Sequence, residues 1–176
     1  MNRKFNYRQV SIIVLILTFF FISSGIAQEK TKKQLKEEAR LEKQKQIAIL
    51  IDSKEFVFYP RSVTPQGGRN ITLNDASYMM EFHPELIKSY LPFFGRAYSG
   101  VGYGGDNGMD FEGKPSVYTI EKTKKAYEIK VDVRGEHDSY SIMLSVYFEG
   151  SAYLSVSSNN RSSISYDGEI KAIKKK

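Results

Sequence analysis

The sequence predicts a mainly β protein: an antiparallel sandwich or half-closed barrel of about eight strands, preceded by one N-terminal helix. Three observations carry this. Tyr127, Ile129, Val131 and Val133 alternate strictly with Glu128, Lys130, Asp132 and Arg134, a period of two that turns one strand face toward a core. The same period returns in Tyr140, Ile142, Leu144, Val146 and Phe148, and again in Ala152, Leu154 and Val156. Turn formers separate the runs: Thr123-Lys124-Lys125, Gly135-Glu136-His137-Asp138, Gly150 and Ser158-Asn159-Asn160-Arg161.

The chain opens on residues 1–27, which read as a cleavable secretory signal peptide. Arg3, Lys4 and Arg8 form a basic start with no acid, and an apolar run from Ile12 to Ile22 is broken only by Thr18. Gly25 and Ala27 supply the small residues of a cleavage site between Ala27 and Gln28. The apolar run falls well short of the ~20 residues a membrane-spanning helix needs, so no stable anchor is expected after cleavage. The chain has no cysteine, which excludes a lipidated cysteine, disulfides, metal thiolates and thiol nucleophiles. A small exported domain without disulfides points to a bacterial periplasm or cell surface.

Residues 28–54 form a charged segment, predicted helical from roughly 31 to 52. Nearly every residue there is a good helix former, and Lys33–Glu37 is a pair at helical spacing. An apolar stripe begins only at Ile47, Leu50 and Ile51, so the first half should stay solvated while the last turns dock. It lacks the sustained heptads of a coiled coil.

The β domain spans 55–173. Its N-terminal half holds short strand candidates at 55–60, 70–73 and 77–83, divided by Pro60, Pro65-Gln66-Gly67-Gly68 and Asn74-Asp75. Residues 117–172 read as a five-stranded antiparallel meander, and Lys174–Lys176 as a basic tail. The basic excess belongs to the signal, the helix and that tail, because from Glu55 onward, tail included, basic and acidic residues number fifteen each. A nucleic-acid binder concentrates positive charge on its folded face; nucleic acid is therefore not an expected partner.

Between the short strands and the meander lies a stretch of another kind. Leu91-Pro92-Phe93-Phe94-Gly95-Arg96-Ala97-Tyr98 leads into Gly100, Gly102, Gly104, Gly105 and Gly108 and ends at Asp110-Phe111-Glu112-Gly113. Such glycine density means positive φ or close approach. As packing, Phe93 and Phe94 would plug the core beneath a long loop; as a binding loop, Arg96, Tyr98 and Tyr103 would face a ligand. Arg161, beside the Ser158-Asn159-Asn160 turn, either pairs with a carboxylate such as Asp110 or Asp138 or joins Arg96 in recognising an anionic group. Tyr118, Tyr147 and Tyr153 are expected opposite the buried strand face.

Catalytic machinery is thin, and an enzyme is not expected. His83 at a strand end and His137 in a turn have no visible nucleophile or base partner. Asp106, Asp110 and Glu112 depart from a calcium loop, with Gly108 where an Asp or Asn is needed. No phosphate-binding motif accompanies the glycines. No metal or cofactor is expected.

The stretch from Leu91 to Tyr98, with Gly104-Gly105 and Asp110-Phe111, is similar to a known group, as are Val133-Arg134-Gly135, Asp138-Ser139-Tyr140 and the run Ser157–Gly168. Across essentially the whole mature chain the sequence resembles an exported Bacteroidetes family, domain of unknown function 4251. The resemblance implies an exported single-domain bacterial protein and brings no catalytic residues. The functional expectation is a noncatalytic envelope β-domain binding a small ligand or glycan near the Gly-rich loop. The alternative is a structural or protein-interaction module whose partner is another envelope protein.

Protein recovered from its host should begin at Gln28; intact-mass analysis that finds Met1 retained in an envelope fraction would refute cleavage.

Overall fold

The structure is a computed structural model that describes residues 31–98, 108–136 and 138–173. The signal peptide, Tyr103, Asp106, His137 and the basic tail lie outside them. The chain divides into two compact units, Met1–Glu38 and Ala39–Lys176. Helix α1 runs Lys32–Ser53 and starts in a capping box: Gln34 N–H donates to Thr31 Oγ1 at 3.4 Å and Thr31 N–H to Gln34 Oε1 at 2.9 Å. Ile47 and Ile51 are buried, with Ala48 and Leu50 partly buried against the same core. The docked turns are thus the ones the apolar stripe marks. Lys54 ends the helix with a φ of 56°, a left-handed stop of the usual helix C-terminal kind.

Ten strands follow among the described residues: β1 (Phe56–Pro65), β2 (Ile71–Thr72), β3 (Met79–His83), β4 (Leu86–Leu91), β5 (Met109–Gly113), β6 (Pro115–Lys122), β7 (Ala126–Arg134), β8 (Ser139–Tyr147), β9 (Ser151–Ser158) and β10 (Ile164–Ala172). The sheet order is β5-β4-β3-β1-β10-β9-β8-β7-β6, with β2 beside β1. The two ends of that order, β5 and β6, are neighbours in the chain with only Lys114 between them. Residues 109–122 therefore act as one interrupted strand, pairing with β4 through its first part and with β7 through its second. The result is a nearly closed antiparallel barrel with one unsealed seam.

The five-stranded meander stands where the alternation put it. Ile129, Val131, Ile142, Leu144, Val146, Leu154 and Val156 all point into the core. Gly150 turns the β8–β9 hairpin with a φ of 91°, and a Cβ there would lie 2.9 Å from Ile47 Cδ1. Phe56 and Phe82 stack at 4.7 Å between ring centroids.

The structure differs from expectation in three places. β1 continues through Pro60 to Pro65. Pro60 falls between the end of pairing with β3 at Phe58 and the start of pairing with β2 at Ser62, and beside the bulge of the β1–β10 ladder, a position at which strands tolerate proline. β4 and β5 fall within stretches that the strand pattern did not mark, because their inward faces carry Ser89 and Gly113 among the apolar residues. Tyr118 faces the core beside Ile120 rather than away from it, while Tyr147 and Tyr153 are exposed as expected. Lys54 Nζ lies 4.8 Å from the Tyr118 ring centroid, and burial raises the phenol pKa.

The depth of helix docking is testable. Ile51→Ala should cost about 2–5 kcal/mol as a core truncation. Deleting residues 28–46 should lower Tm by less than ~4–8 °C, the shift that about 1 kcal/mol gives a small domain. Thermal denaturation of both variants checks the pair.

Candidate functional site

The Gly-rich segment is fastened to one rim of the barrel. After β4 the chain turns at Pro92, whose carbonyl accepts a buried 2.8 Å hydrogen bond from Tyr166 Oη. Gly95 is required next, because a Cβ there would sit 2.5 Å from Ser162 Oγ and 2.6 Å from Phe93 Cζ. The following residues stitch onto the β9–β10 connection. Arg96 N–H donates to Ser162 Oγ (3.0 Å), Ser162 N–H to the Arg96 carbonyl (2.9 Å) and Tyr98 N–H to the Asn160 carbonyl (2.7 Å). The other described end of the segment is tied to the same place: the Arg161 guanidinium donates to the Gly108 carbonyl and lies 5.2 Å from the Phe93 ring centroid.

Below this fastening Phe111 stacks on Tyr140 at 3.8 Å. Asp138 Oδ1 accepts from Ser139 N–H (2.8 Å) and Asn159 N–H (3.2 Å), which holds the neighbouring β7–β8 and β9–β10 turns together. Burial raises the Tyr140 phenol pKa first, then Asp138, with Arg161 opposing and Asp110 adding. Burial raises that of Tyr166 likewise, with Arg161 opposing and Asp110 adding. Arg161 and Asp110 thus bring opposite charges to the same rim.

Beside the fastening lies an open pocket of about 230 Å³, lined by Tyr78, Tyr90, Pro92, Phe93, Phe94 and Asp110 among others. Tyr90 and Asp110 are direct cross-strand partners on the outer face, and Tyr78 and Tyr90 lie 5.8 Å apart between centroids. Phe94 corrects the sequence expectation: it is 49% exposed at this pocket, while Phe93 alone packs against the core. The stitch at 96–98 leaves room at the barrel end for only one of the pair.

Of the residues assigned to a ligand from sequence, Arg96 and Tyr98 are exposed on the stitched segment. Arg161 is half-buried and engaged with Gly108 and Phe93. Tyr103 lies outside the described residues. Tyr78 and Tyr90 were not singled out, because their meeting depends on β3–β4 pairing that no local pattern displays. His83 contacts Glu81 at 3.4 Å at the far end of β3. Among the described residues no three His, Cys, Asp or Glu side chains come together as a metal site would require.

A larger hollow of about 430 Å³ on the outer face of β6–β9 is lined by Ser116, Asp132, Ser141 and Ser157 among others. Three of its hydroxyls already serve the wall: Ser116 Oγ donates to the Asp132 carbonyl, Ser141 Oγ to Asp132 Oδ1 and Ser157 Oγ to the Ser141 carbonyl, while the buried Ser158 Oγ has no partner among the described residues. The rim pocket, with exposed aromatic faces beside a carboxylate, is the stronger candidate.

Residues 38–170 match the family model Domain of unknown function (DUF4251). The chain belongs to this family. A crystal structure of a DUF4251 family protein from Bacteroides eggerthii is similar in fold, with a TM-score of 0.58 at 15% identity over 74% of this chain and 87% of that one. No curated protein matches the sequence. The DUF4251 fold is thereby established for the β domain.

Two outcomes follow from the rim. Arg161→Ala should cost about 1–3 kcal/mol by stranding the Gly108 carbonyl, whereas Arg96→Ala should stay within about 0.5; equal losses in thermal melts would contradict the division. The phenols of Tyr140 and Tyr166 are held neutral in the folded state, so their contribution is complete below the unfolded value of about 10. It is lost as pH rises from there toward the raised folded values. Urea titrations across that range should show falling stability, with a shallower fall in Tyr166→Phe.

Proposed function

We propose that the mature protein is an exported, noncatalytic binding domain of the bacterial envelope that holds a small ligand in the rim pocket. The observation that carries this is the pocket itself: solvent-facing Tyr90 and Phe94 beside Asp110, against a segment fastened at both described ends. Aromatic side chains give contact area at low entropy cost, and Tyr keeps a polar tip for a wet site. A frame fixed in advance spares a ligand the ordering cost of binding. Arg96 and Tyr98, exposed on the same segment, extend the contact surface, and Arg161 acts as the strut that positions Phe93 and Gly108. At about 230 Å³ the pocket lies below the ~300–1,000 Å³ of drug-sized sites, which suits a small ring. Export rests on the basic start, apolar run and small-residue exit of residues 1–27. The noncatalytic assignment rests on the pocket's chemistry, a carboxylate and two phenols with His83 at the far end of β3.

A second reading, a protein-interaction module, draws on the seam: β5 and β6 end the sheet order, and an unpaired sheet edge can accept a strand from a partner.

A small-molecule thermal-shift screen on the mature protein separates the two. A ligand at ~100 times its Kd stabilises by about 2.7 kcal/mol. The expected result is a hit that raises Tm in the native sequence and in Arg96→Lys but not in Tyr90→Ala or Phe94→Ala. Hits that survive both aromatic truncations would exclude the rim pocket.

A further inference from the structure

The rim pocket has neighbours that share its tyrosines. Tyr78 also lines a hollow of about 450 Å³ with Tyr59, Pro60, Ala76 and Lys171. That hollow lies on the side of β1 left open where pairing with β3 stops at Phe58. Tyr90 also lines a hollow of about 440 Å³ with Glu81, Lys88 and Glu112 on the outer face of β3–β5. Three recesses thus succeed one another across the outer wall, with Tyr78 and Tyr90 at the shared boundaries and Tyr59 within the outermost.

We propose that these recesses form one groove for an oligosaccharide, with Tyr59, Tyr78 and Tyr90 as platforms for successive sugar rings and Asp110 accepting hydrogen bonds from sugar hydroxyls. The inference rests on the reading of the rim pocket as a ligand site and names the ligand class. A sugar ring offers a C–H face bordered by hydroxyls, which an aromatic face beside polar acceptors complements. A carboxylate can accept several O–H donors at once, whatever else it binds. Most charges around the groove are paired: Lys88 pairs with Glu112 at 3.1 Å, and Lys171 pairs with Glu169 at 2.8 Å while lying 5.6 Å from the Tyr59 ring centroid; Glu81 contacts His83 at 3.4 Å. Arg161 offsets Asp110 at the rim. A groove whose charges are mostly paired favours a neutral polyol over an ion. Neighbouring strands stand ~4.8 Å apart, so Tyr59 on β1, Tyr78 immediately before β3 and Tyr90 on β4 form a row that a chain of rings spans and a single ring does not.

The test is calorimetric titration of the mature protein with gluco-, xylo-, manno- and chito-oligosaccharides, each from a single ring to a hexasaccharide. Affinity for at least one series should rise with length. Tyr90→Ala and Tyr59→Leu, which keeps bulk without a flat ring, should each weaken the longest ligand by about tenfold, the equivalent of 1.4 kcal/mol. Circular dichroism should show both variants folded, with Tyr90→Ser as the substitute should Tyr90→Ala fail. A monosaccharide that binds as tightly as the hexasaccharide, with Tyr59→Leu unaffected, would overturn the groove and leave the rim pocket standing. Silence across all four series, together with a Tyr90-dependent hit in the small-molecule screen, would overturn the saccharide assignment alone. Silence in both experiments would overturn the groove and the rim pocket together.

Discussion

The pairing of β1 with β10 is the constraint on which the rest of the barrel depends. It joins the hairpin-built half, β1 to β5, to the C-terminal meander, β6 to β10, and it runs from Phe56↔Ala172 to Pro65↔Ile164. The two strands approach so closely at Gly168 that a Cβ there would lie 2.1 Å from the Tyr59 carbonyl oxygen and 2.9 Å from the Phe58 ring. No other residue fits without moving backbone. The bulge between Pro60 and Ser62 follows directly above that contact and bends β1, as bulges do. This register brings residues 160–162, just before β10, opposite residues 96–98, just after β4. The rim stitch is therefore a consequence of the long pairing below it.

What the stitch adds is rigidity more than stability. Each of its neutral hydrogen bonds is worth about 1 kcal/mol net, small beside the buried apolar wall. The buried bond from Tyr166 to Pro92 matters in another way, since losing it would strand a carbonyl inside the barrel end. Together these contacts fix Pro92, Phe93 and Gly108, three residues of the pocket lining. The remaining platforms, Tyr78 and Tyr90, are set by β3–β4 pairing. A site framed by strands and a fastened turn holds its geometry better than one on a free loop.

The meander was legible because inward residues are apolar along whole strands and outward ones are mostly polar, Met143, Tyr147 and Tyr153 being exceptions. β4 breaks that rule at Ser89, which is 7% exposed on the inward face, and β5 breaks it at Gly113. Gly113 is small for a reason visible only in three dimensions, since a Cβ would meet Val133 Cγ1 at 2.6 Å and the Arg134 carbonyl at 2.7 Å. Tyr118 could be placed on either face by pattern, and packing beside Ile120 decided it. The Gly-rich segment announced itself through its composition, and Arg161 through its turn. The aromatic pocket did not, because Tyr78 just before β3, Tyr90 on β4 and Asp110 on β5 become neighbours only once the three strands pair.

The break at Lys114 links the seam to the site. An unbroken strand over 109–122 would have to satisfy β4 and β7 in one straight register, while the chain runs past the end of β7 at Gly113. Interruption lets β5 follow β4 closely enough to set Asp110 opposite Tyr90, and lets β6 follow β7 with its own bulge between Pro115 and Val117. The cost is two sheet edges, and both carry the features that discourage edge pairing. β5 is five residues long with Asp110 and Glu112 outward; β6 begins at Pro115 and ends in Glu121-Lys122. The exposed pair of Lys114 with Glu85 ties the break to the β3–β4 turn and adds little stability by itself. The open seam is thus tied to the placing of β5, and β5 in turn carries the carboxylate that the aromatic wall surrounds.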